Sequence, residues 1–347
     1  MEESELYMHR CLELAALGFG NVAPNPLVGA VLVKDGKIIG EGYHQQYGKA
    51  HAEVNCINSV KAQDQHLIAD ATLYVNLEPC SHFGKTPPCA DLLIQQKVKQ
   101  VVIGSLDPNP LVAGKGLEKL KQAGTLVNAG VLDEECNFLN RRFFTFHTKQ
   151  RPYVILKFAQ SEDGFMALLE QKKYWLTNEE SVQLVHKWRS EEPAIMVGTS
   201  TVLADDPQLT VRAWQGKNPL RIAIDKDLKL PLSKKIFDSA ADTIIYNAVE
   251  TICKDNLHFV KIDFEVSILP QIMKELFERN IQSVIIEGGA FLLQSIIAEN
   301  LWDEARVFTT TQLFERGLKA PKVSGELLST TFIQQDRLEI FINKTTL

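Results

Sequence analysis

His51-Ala52-Glu53, followed 27 residues after the glutamate by Cys80 and then by Cys89, gathers residue types able to hold a catalytic metal. One imidazole and two thiolates make a three-ligand zinc site with a fourth position left for water, the arrangement of a catalytic rather than a structural zinc. Zinc in such a site brings the pKa of water toward neutrality. Glu53 is then the candidate general acid/base, moving a proton from water to a ring nitrogen and on to departing ammonia. His-x-Glu followed by a Pro-Cys pair (here Pro79-Cys80) and a further cysteine is the pattern of hydrolytic nucleobase deamination. The rival is a structural zinc closed by His82 or Glu78. Closed sites prefer Cys-x2-Cys pairs on tight loops, whereas eight residues separate Cys80 from Cys89.

The 347 residues suit two domains of about 150 to 200 residues. Hydrophobic residues at 45% and charged residues at 23% are ordinary for globular chains. A net charge of −6 and a pI near 5.8 argue against a nucleic-acid partner, which selects basic surfaces. The acidic start, Met1-Glu2-Glu3-Ser4-Glu5, lacks a signal-peptide pattern, and no apolar run reaches the ~20 residues of a membrane span. A cytoplasmic enzyme is expected. Cys11, Cys56, Cys136 and Cys253 lack disulfide-like spacing and read as buried small hydrophobes in a reducing compartment.

Two apolar strands within 28–43 joined at Asp35-Gly36 predict a hairpin. A helix from His51 to about Lys61 would put His51 and Glu53 in its first turn, where backbone N–H groups favour an anion. Strands at 72–77, 100–103 and 125–128 alternate with helices at 90–97 and 114–123, which predicts a three-layer α/β/α domain. Asn137, Asn140, Arg141, Arg142, His147 and Lys149 break that pattern, so the boundary is placed near residue 149: one domain over 1–148, a second over 149–347. The second repeats the alternation, with strands at 153–158, 194–197, 220–224, 242–246, 283–286 and 304–309 and helices at 178–189, 271–279 and 290–299.

Within the second domain, Glu287-Gly288-Gly289 ends a strand and opens a helix, where glycines let backbone amides approach a phosphate. A full Gly-x-Gly-x-x-Gly is absent, so no standard Rossmann fingerprint is present. Arg189 and Arg212 offer guanidinium forks matched to a phosphate. Lys157 and Asp163 are the nearest candidates for a proton donor.

The insert Cys80-Ser81-His82-Phe83-Gly84-Lys85-Thr86-Pro87-Pro88-Cys89 departs from the short Pro-Cys-x-x-Cys of most nucleoside and tRNA deaminases. With Ala23-Pro24-Asn25-Pro26-Leu27-Val28-Gly29, Asp107-Pro108-Asn109-Pro110, Thr201-Val202-Leu203-Ala204-Asp205-Asp206-Pro207 and Ile286-Glu287-Gly288-Gly289, it resembles the bifunctional riboflavin-biosynthesis deaminase/reductase family over nearly the whole chain. That resemblance implies a cytidine-deaminase-like N-terminal domain and a C-terminal domain similar in fold to dihydrofolate reductase. It implies zinc-dependent deamination of 2,5-diamino-6-ribosylamino-4(3H)-pyrimidinone 5′-phosphate, then NADPH-dependent reduction of its ribosyl group to ribityl. Asn25 and Lys85 align with polar residues suited to the ribose and phosphate. Lys173, Arg189, Leu209, Arg212 and Glu287 fall at further substrate positions. Gln160, Trp175, Thr201, Asp205 and the segment Gly289, Ala290, Phe291 and Leu292 fall at NADPH positions. Lys226, where the family more often has a small hydroxylated residue, is a candidate contact to the NADPH 2′-phosphate; Lys173 likewise replaces a family serine. The expected partner is a small phosphorylated pyrimidine, with neither nucleic acid nor membrane, and the expected assembly is a homo-oligomer, dimer or tetramer.

Two rivals differ in class. A nucleoside or RNA deaminase with an inactive C-terminal domain would need a basic, aromatic groove for a polynucleotide. A regulatory protein with a structural zinc would have no use for Glu53.

Overall fold

A computed structural model describes residues 2–83, 87–109, 113–168 and 176–345. The chain divides into two compact units, Met1–Lys149 and Gln150–Leu347.

The first unit runs α1 (Glu3–Ala16), β1 (Gly29–Lys34), β2 (Lys37–Tyr43), α2 (Ala52–Ser59), β3 (Thr72–Leu77), α3 (Cys89–Gln95), β4 (Gln100–Ser105), α4 (Lys115–Gln122), β5 (Leu126–Ala129), α5 (Asp133–Leu139) and α6 (Arg141–Lys149). Asp35 and Gly36 take φ of 47° and 72°, the paired positive values of a tight turn whose twist matches the β1–β2 hairpin. The sheet has the order β2-β1-β3-β4-β5, with β3, β4 and β5 parallel and β1 antiparallel to both of its neighbours. Alternation along β1 sorts its side chains. Ala30 and Leu32 pack with Ala52, Cys56, Leu93 and Leu120, whereas Val31 and Val33 pack with Met8, Cys11, Leu14 and Cys136. Helices therefore cover both faces, and the expected three layers are present.

The second unit comprises β6 (Tyr153–Gln160), β7 (Phe165–Ala167), α7 (Glu179–Glu191), β8 (Ala194–Val197), α8 (Thr199–Asp205), β9 (Leu220–Ile224), β10 (Thr243–Asn247), β11 (Ile252–Lys254), β12 (Leu257–Lys261), α9 (Ile268–Glu278), β13 (Ser283–Glu287), α10 (Ala290–Ala298), β14 (Glu304–Thr309), β15 (Leu318–Lys319), β16 (Glu326–Ile333) and β17 (Asp336–Ile342). Its ten-stranded sheet has the order β11-β12-β10-β9-β8-β13-β6-β14-β17-β16. The strands from β12 to β14 pair in parallel, and β11, β17 and β16 join antiparallel at the edges. Leu269, Ile272, Leu276, Leu293 and Ile296 cover one face, and Val185 and Trp188 lie on the other.

Residues 133–149 correct one expectation. The polar residues there do not end the helical pattern but punctuate it: Asn140 is the C-cap of α5, and α6 starts at Arg141. A second correction concerns Cys253. It is exposed on the edge strand β11, where no layer covers it, while Cys11, Cys56 and Cys136 are buried as expected. Among the described residues no helix is long and apolar enough to cross a membrane.

Candidate active sites

His51 is the N-cap of α2, and Glu53 lies in that helix's first turn. Cys80 follows β3, and Cys89 is the first residue of α3. His51 Nδ1 lies 3.6 Å from Cys80 Sγ and 3.3 Å from Cys89 Sγ. One donor atom from each of the three residues falls within 4.8 Å of the others. The Cys89 N–H donates to Cys80 Sγ at 3.3 Å, and the Ala90 N–H donates to the Cys80 carbonyl at 3.1 Å, so the start of α3 steadies the Cys80 loop. A hydrogen bond from the Cys89 thiol and the nearby His51 hold Cys80 down at about 4, in the thiolate range a metal requires. One nitrogen and two sulfurs at these separations fit zinc.

Neither proposed fourth ligand closes the set. Both carboxylate oxygens of Glu78 accept backbone N–H groups, from Asp107, Gly114, Gly116 and Leu117, at 2.9–3.3 Å. His82 is exposed. Among the described residues the metal-ligating cluster holds His51, Cys80 and Cys89 alone. Glu53 is 3% exposed, and burial, reinforced by Cys80, pushes its carboxyl up to about 7. That places it where a group can both take and give a proton near neutral pH.

Asn25 sits in a loop held by two buried asparagines. Asn140 Oδ1 accepts the Leu27 N–H at 2.8 Å, and its Nδ2 donates to the Leu27 carbonyl at 2.9 Å. Asn76 Oδ1 accepts from the Gly29 N–H, and its Nδ2 donates to the same Leu27 carbonyl. The Asn25 amide meets His44 Nε2 at 3.1 Å. The His44 ring packs edge-on against His51 with centroids 5.3 Å apart, and burial lowers its pKa. His44 and Asn140 escaped sequence reasoning, because neither belongs to a spacing pattern. Lys85 lies outside the described residues.

In the second unit Arg189 and Glu287 form a two-point ion pair, with Nε to Oε1 at 3.0 Å and Nη2 to Oε2 at 2.7 Å. Burial works to raise the Glu287 carboxyl, yet Arg189 and then Lys157 outweigh it and hold it at about 2. Lys157 is the β-sheet partner of Glu287, and burial lowers its pKa. The Arg212 backbone N–H donates to His186 Nδ1 at 3.1 Å, and its Nη1 donates to Thr210 Oγ1 at 2.9 Å. Burial, followed by the charges of Arg189 and Arg212, pushes His186 down to about 4. Leu209 is 2% exposed and packs in the core, which leaves only its main chain for a ligand. Asp163 binds Ser161 and the N–H groups of Phe314 and Glu315, a loop-fastening role in place of the proton donor considered for it.

The turn between β13 and α10 has the form of a phosphate cradle. Gly288 and Gly289 take φ of 96° and 72°, and Gly289 caps α10 with no side-chain hydrogen bond. A Cβ on Gly288 would meet Thr201 Cγ2 at 3.2 Å, and one on Gly289 would meet Thr201 Oγ1 at 3.2 Å. The adjoining Ala290 and Leu292 are buried, whereas Phe291 is exposed. Thr199 at the start of α8 donates to the Ile224 carbonyl at the end of β9. Beyond β9, Lys226 lies over the Phe264 ring at 5.7 Å, in a cavity of about 640 Å³ whose lining mixes Lys261 and Lys274 with Asp263, Glu265, Glu275 and Glu278. Gln160 Nε2 donates to Thr309 Oγ1 at 3.2 Å, and Asp205 ends α8, exposed. Lys173 and Trp175 lie outside the described residues. The helix start without a side-chain cap and the side-chain-free turn fit a phosphate group of a dinucleotide.

Residues 1–105 match the cytidine and deoxycytidylate deaminase zinc-binding region, and residues 152–339 match the RibD C-terminal domain. The riboflavin biosynthesis protein RibD of Aquifex aeolicus is 43% identical over 328 residues, covering 93% of this chain and 88% of its own. The chain belongs to the RibD family. RibD of Escherichia coli is 35% identical over 334 residues, covering 90% of this chain and 88% of its own. Among solved structures, the diaminohydroxyphosphoribosylaminopyrimidine deaminase/5-amino-6-(5-phosphoribosylamino)uracil reductase of Thermotoga maritima superposes with a TM-score of 0.89 at 37% identity, covering 98% of this chain and 99% of its own. RibD of Acinetobacter baumannii superposes at 0.88 with 33% identity and 98% coverage of each chain. As a RibD-family member the chain is a two-activity enzyme of riboflavin biosynthesis, a deaminase joined to a reductase, with Zn²⁺ serving the first activity and NADPH the second.

Proposed function

We propose that residues 1–148 deaminate 2,5-diamino-6-ribosylamino-4(3H)-pyrimidinone 5′-phosphate and that residues 149–347 then reduce the ribosyl group of the product to ribityl. The observation that carries this reading is the juxtaposition of three metal donors within 4.8 Å with a buried carboxyl poised near 7.

His51 Nδ1, Cys80 Sγ and Cys89 Sγ hold the metal. Zinc there supplies Lewis acidity, lowering the pKa of water enough for attack near neutral pH. Glu53 would accept one proton from the attacking water on a carboxylate oxygen and deliver it to the pyrimidine ring nitrogen, then take the proton remaining on the added hydroxyl and pass it to the departing amine, leaving the carbonyl and ammonia. Asn25 binds the ribose side of the substrate, and Lys85 its phosphate.

In the reductase, Gly289 and the N–H groups opening α10, with Ala290, Phe291 and Leu292, would hold the cofactor's pyrophosphate. Thr201, Asp205, Gln160 and Trp175 are the further residues that would hold it, and Lys226 would take its 2′-phosphate. NADPH supplies the hydride. Lys157, half-buried at the end of β6 and paired in register with Glu287, is the residue we assign to donate the proton that the opened sugar takes up. Arg212 receives the substrate phosphate, and the Leu209 main chain and Lys173 are assigned to the same substrate. Arg189 is committed to Glu287, so the two act as one positioned pair. The enzyme works in the cytoplasm as a homo-oligomer, dimer or tetramer.

Purified protein given the diaminopyrimidine phosphate and NADPH should release ammonia and consume reduced nicotinamide. Ammonia release alone would confine activity to the first domain, and neither signal would refute the assignment.

A further inference from the structure

Cys253 and His258 stand outside both sites, on the hairpin of β11 and β12 that ends the ten-stranded sheet. Lys254 pairs with Leu257, which leaves Asp255-Asn256 as a two-residue turn, and the next rung sets Cys253 opposite His258. Asn256 anchors that turn to the body of the domain. Its Nδ2 donates to the Asp238 and Ala241 carbonyls at 2.9 and 2.8 Å, and its carbonyl accepts the Thr243 N–H at 2.8 Å. Held in this register, the exposed Cys253 has its Sγ 3.3 Å from His258 Nδ1. Among the described residues no third histidine, cysteine or acidic donor joins the two, so a metal ion would find only half a coordination shell. Covalent sulfur chemistry suits the pair better, because the thiolate is the nucleophile and an adjacent ring can take its proton.

We propose that Cys253 is a modification site: its thiol exchanges with low-molecular-weight disulfides and carries the resulting mixed disulfide at the sheet edge, with His258 as its base. The Cys253 sulfur attacks one sulfur of the reagent, a new S–S bond forms, and the old one breaks. The released thiol leaves with the proton that His258 took from Cys253. Cys253 is oxidised and half of the reagent is reduced, so no further reactant is needed, and an excess of small thiol reverses the exchange. The other five cysteines do not compete. Burial pushes the thiols of Cys11, Cys56 and Cys136 up, and Cys80 and Cys89 belong to the metal set. Neither Cys253 nor His258 has a part in deamination or reduction, so the proposal stands apart from that reading.

The zinc-loaded enzyme, mixed with an aromatic disulfide whose released thiol absorbs visible light, should lose one thiol per chain in a fast phase. Oxidised glutathione should add a single glutathionyl group to the peptide containing Cys253, read by mass spectrometry. Cys253→Ser should abolish the fast phase and leave ammonia release, nicotinamide oxidation and melting temperature at wild-type values. His258→Ala should slow the fast phase about tenfold, less than the roughly 10²–10⁴ of an enclosed catalytic base, because solvent also reaches this pair. Added imidazole should restore part of that rate, which a merely structural role of the ring would not allow. A fast thiol persisting in folded Cys253→Ser would place the reactive sulfur elsewhere and overturn the proposal. So would His258→Ala reacting at the wild-type rate, or staying slow in the presence of imidazole.

Discussion

Arg189 and Glu287 meet across 98 residues of chain in a paired hydrogen bond, with only 12% and 11% of their side chains exposed. Removing one partner leaves the other charged and poorly solvated, so Arg189→Ala should cost about 3–5 kcal/mol of stability. The Glu287 carboxyl stands at about 2 in the folded protein against an ordinary 4.5. A depressed acid contributes stability that is complete above its unfolded value and lost as pH falls toward its folded one. Guanidinium melts between pH 5 and pH 2 should therefore show an acid-side loss that Glu287→Gln lacks.

Glu53→Gln should lower the turnover of ammonia release by about 10²–10⁴, because an amide cannot shuttle the proton. Zinc content and reduction of the deaminated substrate should stay at wild-type levels. Wild-type ammonia release from the variant would remove Glu53 from the mechanism.

Stripping the metal with a chelator should abolish ammonia release and leave nicotinamide oxidation intact when the deaminated intermediate is supplied. Elemental analysis of native protein should find one zinc per chain, and Cys89→Ser should lower that content.

Asn140→Ala removes both side-chain bonds to Leu27: the Leu27 N–H loses its acceptor, while the Leu27 carbonyl keeps Asn76 Nδ2. The expected loss is about 1–3 kcal/mol, the cost of leaving one buried N–H unsatisfied. Because Leu27 follows Asn25 by two residues, the KM of deamination should rise as well, read by steady-state kinetics on the folded fraction.

Gly288→Ala places a methyl group against Thr201 Cγ2 and forces alanine to a φ of 96°. Strain of about 1–3 kcal/mol at this turn should weaken NADPH binding several-fold, measured by calorimetry, with deamination unchanged.

The metal set was legible in the sequence because thiolates and imidazoles at that spacing have few other uses. The hairpin at Asp35-Gly36 and the strands 194–197, 220–224 and 304–309 were legible because alternation and turn chemistry are local. What stayed hidden was non-local. Asn140 reaches back 113 residues to Leu27, and no periodicity marks such a bond. His44 resembles any histidine after a strand until Ala50 and Asn25 close around it. The polar run after Asp133 did mark a break, but that break joins two helices, since Asn140 can end α5 while α6 begins beside it. Arg189 appeared free to grip a phosphate, because a pattern cannot reveal that Glu287 already occupies its fork.

The carboxylate of Glu78 gathers four amides from residues 107–117 and so fastens the approach to α4 against the strand that delivers Cys80. A methyl group at Gly116 would strike the Pro79 carbonyl, one residue from that sulfur. A change on a helix bearing no ligand would thereby detune metal capture from behind. Losses of zinc in naturally drifted or engineered versions of this chain should be sought in that buttress as well as among the donors.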